Sequence, residues 1–234
     1  ISPERQAVMH EFSVSAVAAV LDFAVLKPNQ TSADIDSAAA LCGQLSIGCL
    51  CVQPNDVCRA ARLLHDQKTV VASVVGFPHG ANTTAIKVHE ARIAIEDGAR
   101  ELDMVLALQA LREGDHTTVH DDIAAVVNEG RPSDVSVKVI LETCYLNEEE
   151  IIHACRIAES AGAMFVKTST GFGPRGATPE VVRTMLNTVD GRIGVKASGG
   201  IRTWNDCVEY LKMGCTRIGV GDPRRILAAE SQAN

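Results

Sequence analysis

The chain has 234 residues, 46% of them hydrophobic and only 3% aromatic, and carries a formal net charge of −7. That length suits one large domain or two small ones with a sizeable core. The acidic balance argues against nucleic acid or an anionic membrane surface as the main partner, and the scarcity of aromatics argues against stacking platforms, while a small anionic ligand could still meet a locally positive pocket.

A leading helix is expected near residues 3–18. Apolar runs of strand length then recur at 20–26, 47–52, 69–75, 101–106, 135–142, 163–167, 193–197 and 216–220. Such near-continuous apolar strands are typical of a parallel sheet covered on both faces. Helical patterns lie between them. Thr31-Ser32-Ala33-Asp34 opens one as a capping box, and Pro54 after Gln53 suits the first position of the next. Asn82 is expected to cap a helix running to Glu96, and Asn147 to cap 148–161, which Gly162 ends. Thr178-Pro179 begins another and Asp222-Pro223 the last. Eight strand–helix units without a low-complexity linker read as an α/β fold, a single (β/α)8 TIM barrel over residues 1–234 with the extra N-terminal helix closing its bottom. A doubly wound open sheet is the rival. It usually has fewer strands and a Gly-rich turn after the first, whereas Leu26-Lys27-Pro28-Asn29 contains no glycine.

Val137-Lys138, Val166-Lys167 and Val195-Lys196 each end an apolar run, and 29 residues separate each lysine from the next (138 to 167, 167 to 196). One strand–helix unit takes about 30 residues, so three successive strands are expected to carry a lysine at the same depth. Buried lysines point to amine chemistry or anion binding. Only a neutral amine attacks a carbonyl, and lowering a lysine from pKa ~10.4 to ~7 takes about 4.6 kcal/mol. A second cation ~4 Å away at an effective dielectric near 20 supplies about 4 kcal/mol, and burial adds to it. Lys196 could be that cation for Lys167, a pair suited to a Schiff base. The alternative is that one lysine merely pairs with Asp103 or Glu142.

Asp103, between Leu102 and Met104, needs a partner if buried. It reads equally as a proton carrier holding Lys196 charged or as a plain ion pair. Asp22 reads first as an anchor of strand one. In a barrel the loops after strands seven and eight commonly bind phosphate, which here means Ser198-Gly199-Gly200-Ile201 and Gly219-Val220-Gly221-Asp222. The seven histidines are scattered, and His116 and His120 read as a polar helix surface beside Asp121 and Asp122, so no metal site is expected. No Gly-x-Ser-x-Gly elbow occurs. The eight cysteines form no Cys-x-x-Cys pair and read as reduced thiols of a cytoplasmic protein. Ile1-Ser2-Pro3-Glu4-Arg5 lacks signal-peptide regions, although the missing Met leaves a trimmed presequence open, and no run reaches the ~18 apolar residues of a membrane span.

Phe165-Val166-Lys167-Thr168-Ser169-Thr170-Gly171-Phe172 resembles the Schiff-base motif of deoxyribose-phosphate aldolases. The resemblance continues through Gly194-Val195-Lys196-Ala197-Ser198-Gly199-Gly200-Ile201-Arg202, Val75-Gly76-Phe77-Pro78, Gly80-Ala81-Asn82-Thr83-Thr84, Glu101-Leu102-Asp103-Met104-Val105 and Lys138-Val139-Ile140-Leu141-Glu142-Thr143, collinear over about residues 20–220. It implies a metal-independent class I aldolase, without cofactor, that reversibly cleaves 2-deoxyribose 5-phosphate to acetaldehyde and glyceraldehyde 3-phosphate. Carried over by position, Lys167 is the imine-forming nucleophile, Lys196 the lysine that tunes it and Asp103 the acid/base of a water-mediated relay. Asp22 and Lys138 match supporting positions, and Cys51 matches a cysteine lining the cleft. Thr170, Gly171, Gly199, Gly200, Gly221 and Asp222 fall on substrate-binding segments. Small sugar phosphates and aldehydes are the expected partners. A homodimer is compatible with such a barrel, with no interface stretch standing out.

The chain departs from the family pattern in four places. Phe23-Ala24 follows Asp22 where His-Thr is usual, and Val52-Gln53-Pro54 replaces Val-Asn-Pro. The Asn usual after the strand-four Asp is missing from Val105-Leu106-Ala107-Leu108. Gly221-Asp222 stands where Ser-Ser usually meets a phosphate. A carboxylate ~5 Å from a phosphate dianion costs roughly 2–6 kcal/mol, so either Asp222 turns away and Arg175, Arg202 or Arg224 compensates, or phosphate preference weakens. The expectation is weakened but retained binding. Alternatives are a related class I aldolase with an altered or unphosphorylated acceptor, an inactive metabolite-binding homologue, or a metal-dependent aldolase.

Overall fold

The computed structural model describes residues 12–231, and they form a closed parallel barrel of eight strands in chain order. Strand β1 spans Leu21–Val25, β2 Cys49–Val52, β3 Val70–Val75, β4 Glu101–Val105, β5 Ser136–Ile140, β6 Phe165–Lys167, β7 Gly194–Ser198 and β8 Arg217–Val220, and β8 pairs with β1 to close the ring. The apolar runs locate every strand to within two residues at each end.

The helices alternate with the strands. They are α1 Val14–Val20, α2 Ser32–Leu45, α3 Val57–Leu63, α4 Thr84–Glu96, α5 Leu108–Arg112, α6 His116–Gly130, α7 Glu148–Ser160, α8 Pro179–Val189, α9 Trp204–Met213 and α10 Pro223–Ser231. Thr31 and Asn147 make the expected N-terminal caps as full capping boxes, and Thr178 caps α8. Pro54 opens a single 3-10 turn that runs into α3. Thr83, not Asn82, is the N-cap of α4. Helix α1 sits against the N-terminal strand ends, where Gly48, just before β2, donates its N–H to Ala18 O at 3.0 Å. The earlier part of the expected leading helix, residues 3–11, lies outside the described residues.

Alternation divides each strand between two faces. Leu50, Val71, Leu102, Met104, Val137, Val139, Val166, Val195 and Ile218 point outward into the main apolar core under the helices. The inward set on β4 to β8 and β1 is charged: Glu101, Asp103, Lys138, Lys167, Lys196, Arg217 and Asp22. Only the β2–β3 side of the interior is apolar, with Cys49, Cys51, Ala72 and Val74 under Leu26. Gly219 is required here by close approach, because a Cβ would lie 2.5 Å from Ser198 Oγ and 3.3 Å from Lys196 Cε.

Register corrects one expectation. Lys167 pairs directly with Lys196, but Lys138 lies opposite Phe165, and Ile140 is the partner of Lys167. Lys138 is therefore one inward step deeper than the other two lysines. Equal spacing in sequence does not fix depth, because strands in a barrel are tilted and staggered.

Helix α6 also differs from a solvated surface. Asp122 is buried and pairs with the buried Lys87 of α4, whose Nζ lies 2.6 Å from Asp122 Oδ2 and 2.9 Å from Val105 O. Thr84 Oγ1 donates to the other carboxylate oxygen at 2.9 Å. Replacing Lys87 with Met strands a buried carboxylate, and the expected loss is about 3–5 kcal/mol in urea unfolding. Adding Asp122→Leu should restore part of it. A K87M protein as stable as the parent would contradict this.

Candidate active site

The charged inward residues converge on Asp103. Its Oδ2 accepts from Lys167 Nζ and from Lys196 Nζ, each at 2.7 Å, and its Oδ1 accepts from Lys138 Nζ at 2.8 Å. Two nitrogens that share one oxygen at that distance are separated by no more than twice it. The juxtaposition of Lys167 and Lys196 read from spacing is therefore present. Asp22 Oδ2 takes a second hydrogen bond from Lys196 at 2.5 Å.

Burial, opposed by Asp103 and helped by Lys196, leaves the Lys167 ammonium below the ordinary lysine range. Burial pulls Lys196 down as well, but Asp103 and Asp22 outweigh it and hold this lysine firmly protonated. Burial would raise Asp103, yet Lys138, Lys167 and Lys196 together hold it well below the usual carboxylate range. The lowering of Lys167 thus comes first from desolvation and only then from the neighbouring cation, the reverse of the weighting that charge spacing suggests. Asp103 is therefore held as an anion by the lysines around it.

Above this layer lies a cleft of about 490 Å³, walled by Thr170, Gly171, Gly199, Gly200, Gly221 and Asp222. Lys27, Arg202 and Arg225 also face it. Gly199 and Gly200 adopt φ of 88° and 83°, a left-handed turn that favours glycine. Asp222 has turned to its own helix, where its Oδ1 accepts from Arg224 N at 3.1 Å and pairs with Arg224 Nε at 3.0 Å. Of the other arginines weighed against it, Arg202 faces the cleft, while Arg175 donates to Cys144 O. Asp22, Cys51, Asp103, Lys138, Lys167 and Lys196 are all buried, and none of them is on the wall of this cleft. Cys51 Sγ lies 4.0 Å from Asp103 Oδ2, and burial first, then Asp103, pushes its thiol up to about 11.

The profile of DeoC/LacD family aldolases matches residues 16–220. The chain belongs to this aldolase family. A deoxyribose-phosphate aldolase of Thermococcus gammatolerans is 47% identical over 93% of the chain and 97% of that relative, and one of Carboxydothermus hydrogenoformans is 46% identical over 88% and 92%. The tetrameric deoxyribose phosphate aldolase of Aeropyrum pernix superposes with a TM-score of 0.91 at 27% identity, covering 100% of both chains. Among the described residues of this aldolase, no helix is long and apolar enough to cross a membrane.

Of the two carboxylates weighed as lysine partners, Asp103 takes the lysines, while Glu142, in a left-handed conformation with φ 52°, accepts from the Thr170 hydroxyl and backbone N–H and so anchors the lip of the cleft. Sequence reasoning missed other participants. Phe172 of that lip packs edge-on against Phe77, ring centroids 5.3 Å apart. Arg217 and Glu101 complete the ion network, and a signal existed, since Arg217 alternates with Gly219 on an otherwise apolar strand. Asp22, Cys49 and Glu101 group their ligand atoms within 4.8 Å. Lys138 and Arg217 already neutralise those carboxylates, and burial first, then Asp22, pushes the Cys49 thiol well up, so the donor set does not suit a cation.

Proposed function

We propose that the chain is a class I aldolase that reversibly cleaves 2-deoxy-D-ribose 5-phosphate to acetaldehyde and D-glyceraldehyde 3-phosphate through a Schiff base on Lys167. The observation that carries this reading is a lowered lysine amine 2.7 Å from Asp103 Oδ2, with Lys196 held charged on the same oxygen.

The neutral Lys167 amine attacks C1 of the open-chain sugar. The carbinolamine loses water to give an imine, which as its protonated iminium accepts electrons. Asp103 lies beside that new cation as its counter-ion. Removal of the C3 hydroxyl proton, through water toward the Asp103–Lys196 pair, lets the C2–C3 bond break. The C3 fragment leaves as glyceraldehyde 3-phosphate, and the bonding electrons form the C1–C2 enamine on Lys167. Protonation at C2 and hydrolysis at C1 release acetaldehyde and the free amine. No step needs a metal or an external electron carrier.

The basic groups Lys27, Arg202 and Arg225 around Gly199, Gly200 and Gly221 support phosphate binding, and Asp222 opposes it. Asp222→Ser should raise kcat/KM for deoxyribose 5-phosphate by about tenfold, some ~1.4 kcal/mol, and leave unphosphorylated deoxyribose nearly unchanged. An equal effect on both sugars would remove Asp222 from phosphate discrimination. The reaction itself is tested by borohydride reduction in the presence of deoxyribose 5-phosphate. Peptide mapping should find a two-carbon adduct on Lys167, and a stable adduct on Lys196 or none at all overturns the reading.

A further inference from the structure

We propose that Arg217 and Glu101, at the N-terminal ends of their strands, are positioning residues that set the protonation state of Lys167 through a continuous column of alternating charges. The inference rests on Lys167 being the imine-forming amine.

The column can be followed atom by atom. Arg217 is the first residue of β8 and lies with its guanidinium 5.9 Å from the Phe165 ring centroid. One of its nitrogens donates to Asp22 Oδ1 at 2.6 Å and another to Glu101 Oε1. Glu101 Oε2 makes an ion-pair contact with Lys138 Nζ at 2.6 Å, and Lys138 continues to Asp103 at 2.8 Å and to Asp22 Oδ2 at 3.4 Å. Asp103 then meets Lys196 and Lys167. Every carboxylate in the column touches at least two cations, and all members but Arg217 and Glu101 are essentially sealed from solvent.

The charges decide the state of Lys167. Three anions, Asp22, Glu101 and Asp103, face three committed cations, Arg217, Lys138 and Lys196. The other buried titratable groups about the interior are Cys49 and Cys51 of β2, both thiols whose ionisation burial opposes, and Glu142 just after β5, which is turned to the Thr170 hydroxyl and backbone N–H and stands outside the column. β3 contributes only Ala72 and Val74, and Phe165 is the other inward residue of β6. The column itself is therefore electrically balanced when Lys167 is a neutral amine, and carries one surplus positive charge when Lys167 is protonated. An unbalanced buried charge is expensive. Lys167 ends the column on the Asp103 carboxylate, whereas Lys138 and Lys196 each meet more than one carboxylate, so the imbalance resolves there.

This makes two remote substitutions act with opposite signs. Glu101→Gln removes an anion, Lys138 draws Asp103 toward itself, and Lys167 sheds its proton at lower pH. Arg217→Met removes a cation, the carboxylates hold the remaining cations more strongly, and Lys167 keeps its proton to higher pH. Glu101 precedes Asp103 by two residues, roughly 7 Å along β4, so each shift should be about 0.5–1.5 pH units.

The test is the rate of borohydride-trapped imine formed with acetaldehyde, followed by intact-protein mass spectrometry across pH. The acid limb should move down in E101Q and up in R217M, return near the parent in E101Q/R217M, and stay at the parent value in the charge-keeping variants E101D and R217K. A structural role alone would lower both rates without opposed shifts. If Lys167 is trapped normally but the limbs do not separate in opposite directions, the column does not tune it and the aldolase reading stands. If the parent protein forms no adduct on Lys167 at any pH, the aldolase reading itself fails. Should one single variant not fold, the other, compared with its charge-keeping counterpart, decides.

Discussion

Lys167→Met should lose at least about 10⁴-fold in kcat, some ~5.5 kcal/mol of transition-state stabilisation, and should give no borohydride adduct. The same variant should remain folded. Lys167 contributes no charge to the balanced column when neutral, so an apolar chain of similar length leaves Asp103 with Lys138 and Lys196 still bonded to it at 2.8 and 2.7 Å. Activity and stability are thus expected to separate: a large kinetic loss with a small change in the unfolding midpoint. A K167M protein with more than about a hundredth of the parent rate would remove Lys167 as nucleophile.

Lys196→Leu should behave differently. Removing this cation leaves Asp103 free to pair more fully with Lys167 and strips one positive charge from within about 5 Å of it. At an effective dielectric near 20 that charge is worth about 3 kcal/mol, or roughly two pH units on Lys167. The sign follows from which form reacts. Burial and Lys196 keep Lys167 low, the neutral amine attacks, and below its pKa the neutral fraction falls tenfold per pH unit. Raising that pKa moves the acid limb of kcat/KM upward, so K196L should lose about 100-fold near neutral pH and recover much of that loss in alkaline buffer. A loss of the same size at all pH values would assign Lys196 to proton transfer alone, not to tuning. Lys196→Arg keeps the charge and should keep the limb in place.

The strands were legible because nearly every outward, alternate residue in them is apolar, and the caps at Thr31, Asn147 and Thr178 were legible because a side-chain oxygen before a helix has few other uses. The depth of Lys138 was not legible. Its distance in sequence from Lys167 equals that from Lys167 to Lys196, but pairing register depends on tilt and loop geometry that spacing does not encode. Asp122 reads as an ordinary polar helix residue and Lys87 gives no signal of its own, because only tertiary packing turns those helix faces inward. Asp103, Lys167 and Lys196 could be named from charged residues set in buried strands. Glu101 and Arg217 carry that same signal, yet their role depends on counting charges across six strands, which requires knowing that the barrel closes. The conflict between Gly221-Asp222 and a phosphate was visible in sequence, whereas the pairing of Asp222 with Arg224 at the start of α10 depends on a side-chain conformation.

The most direct measurement is an NMR titration of the lysine side chains in the unliganded protein, following the Nζ and Cε resonances of Lys167, Lys196 and Lys138. Lys167 should titrate below the ordinary lysine value of 10.5 while Lys196 and Lys138 stay protonated through the same range. Lys167 titrating at or above that value, or Lys196 losing its proton first, would contradict the account.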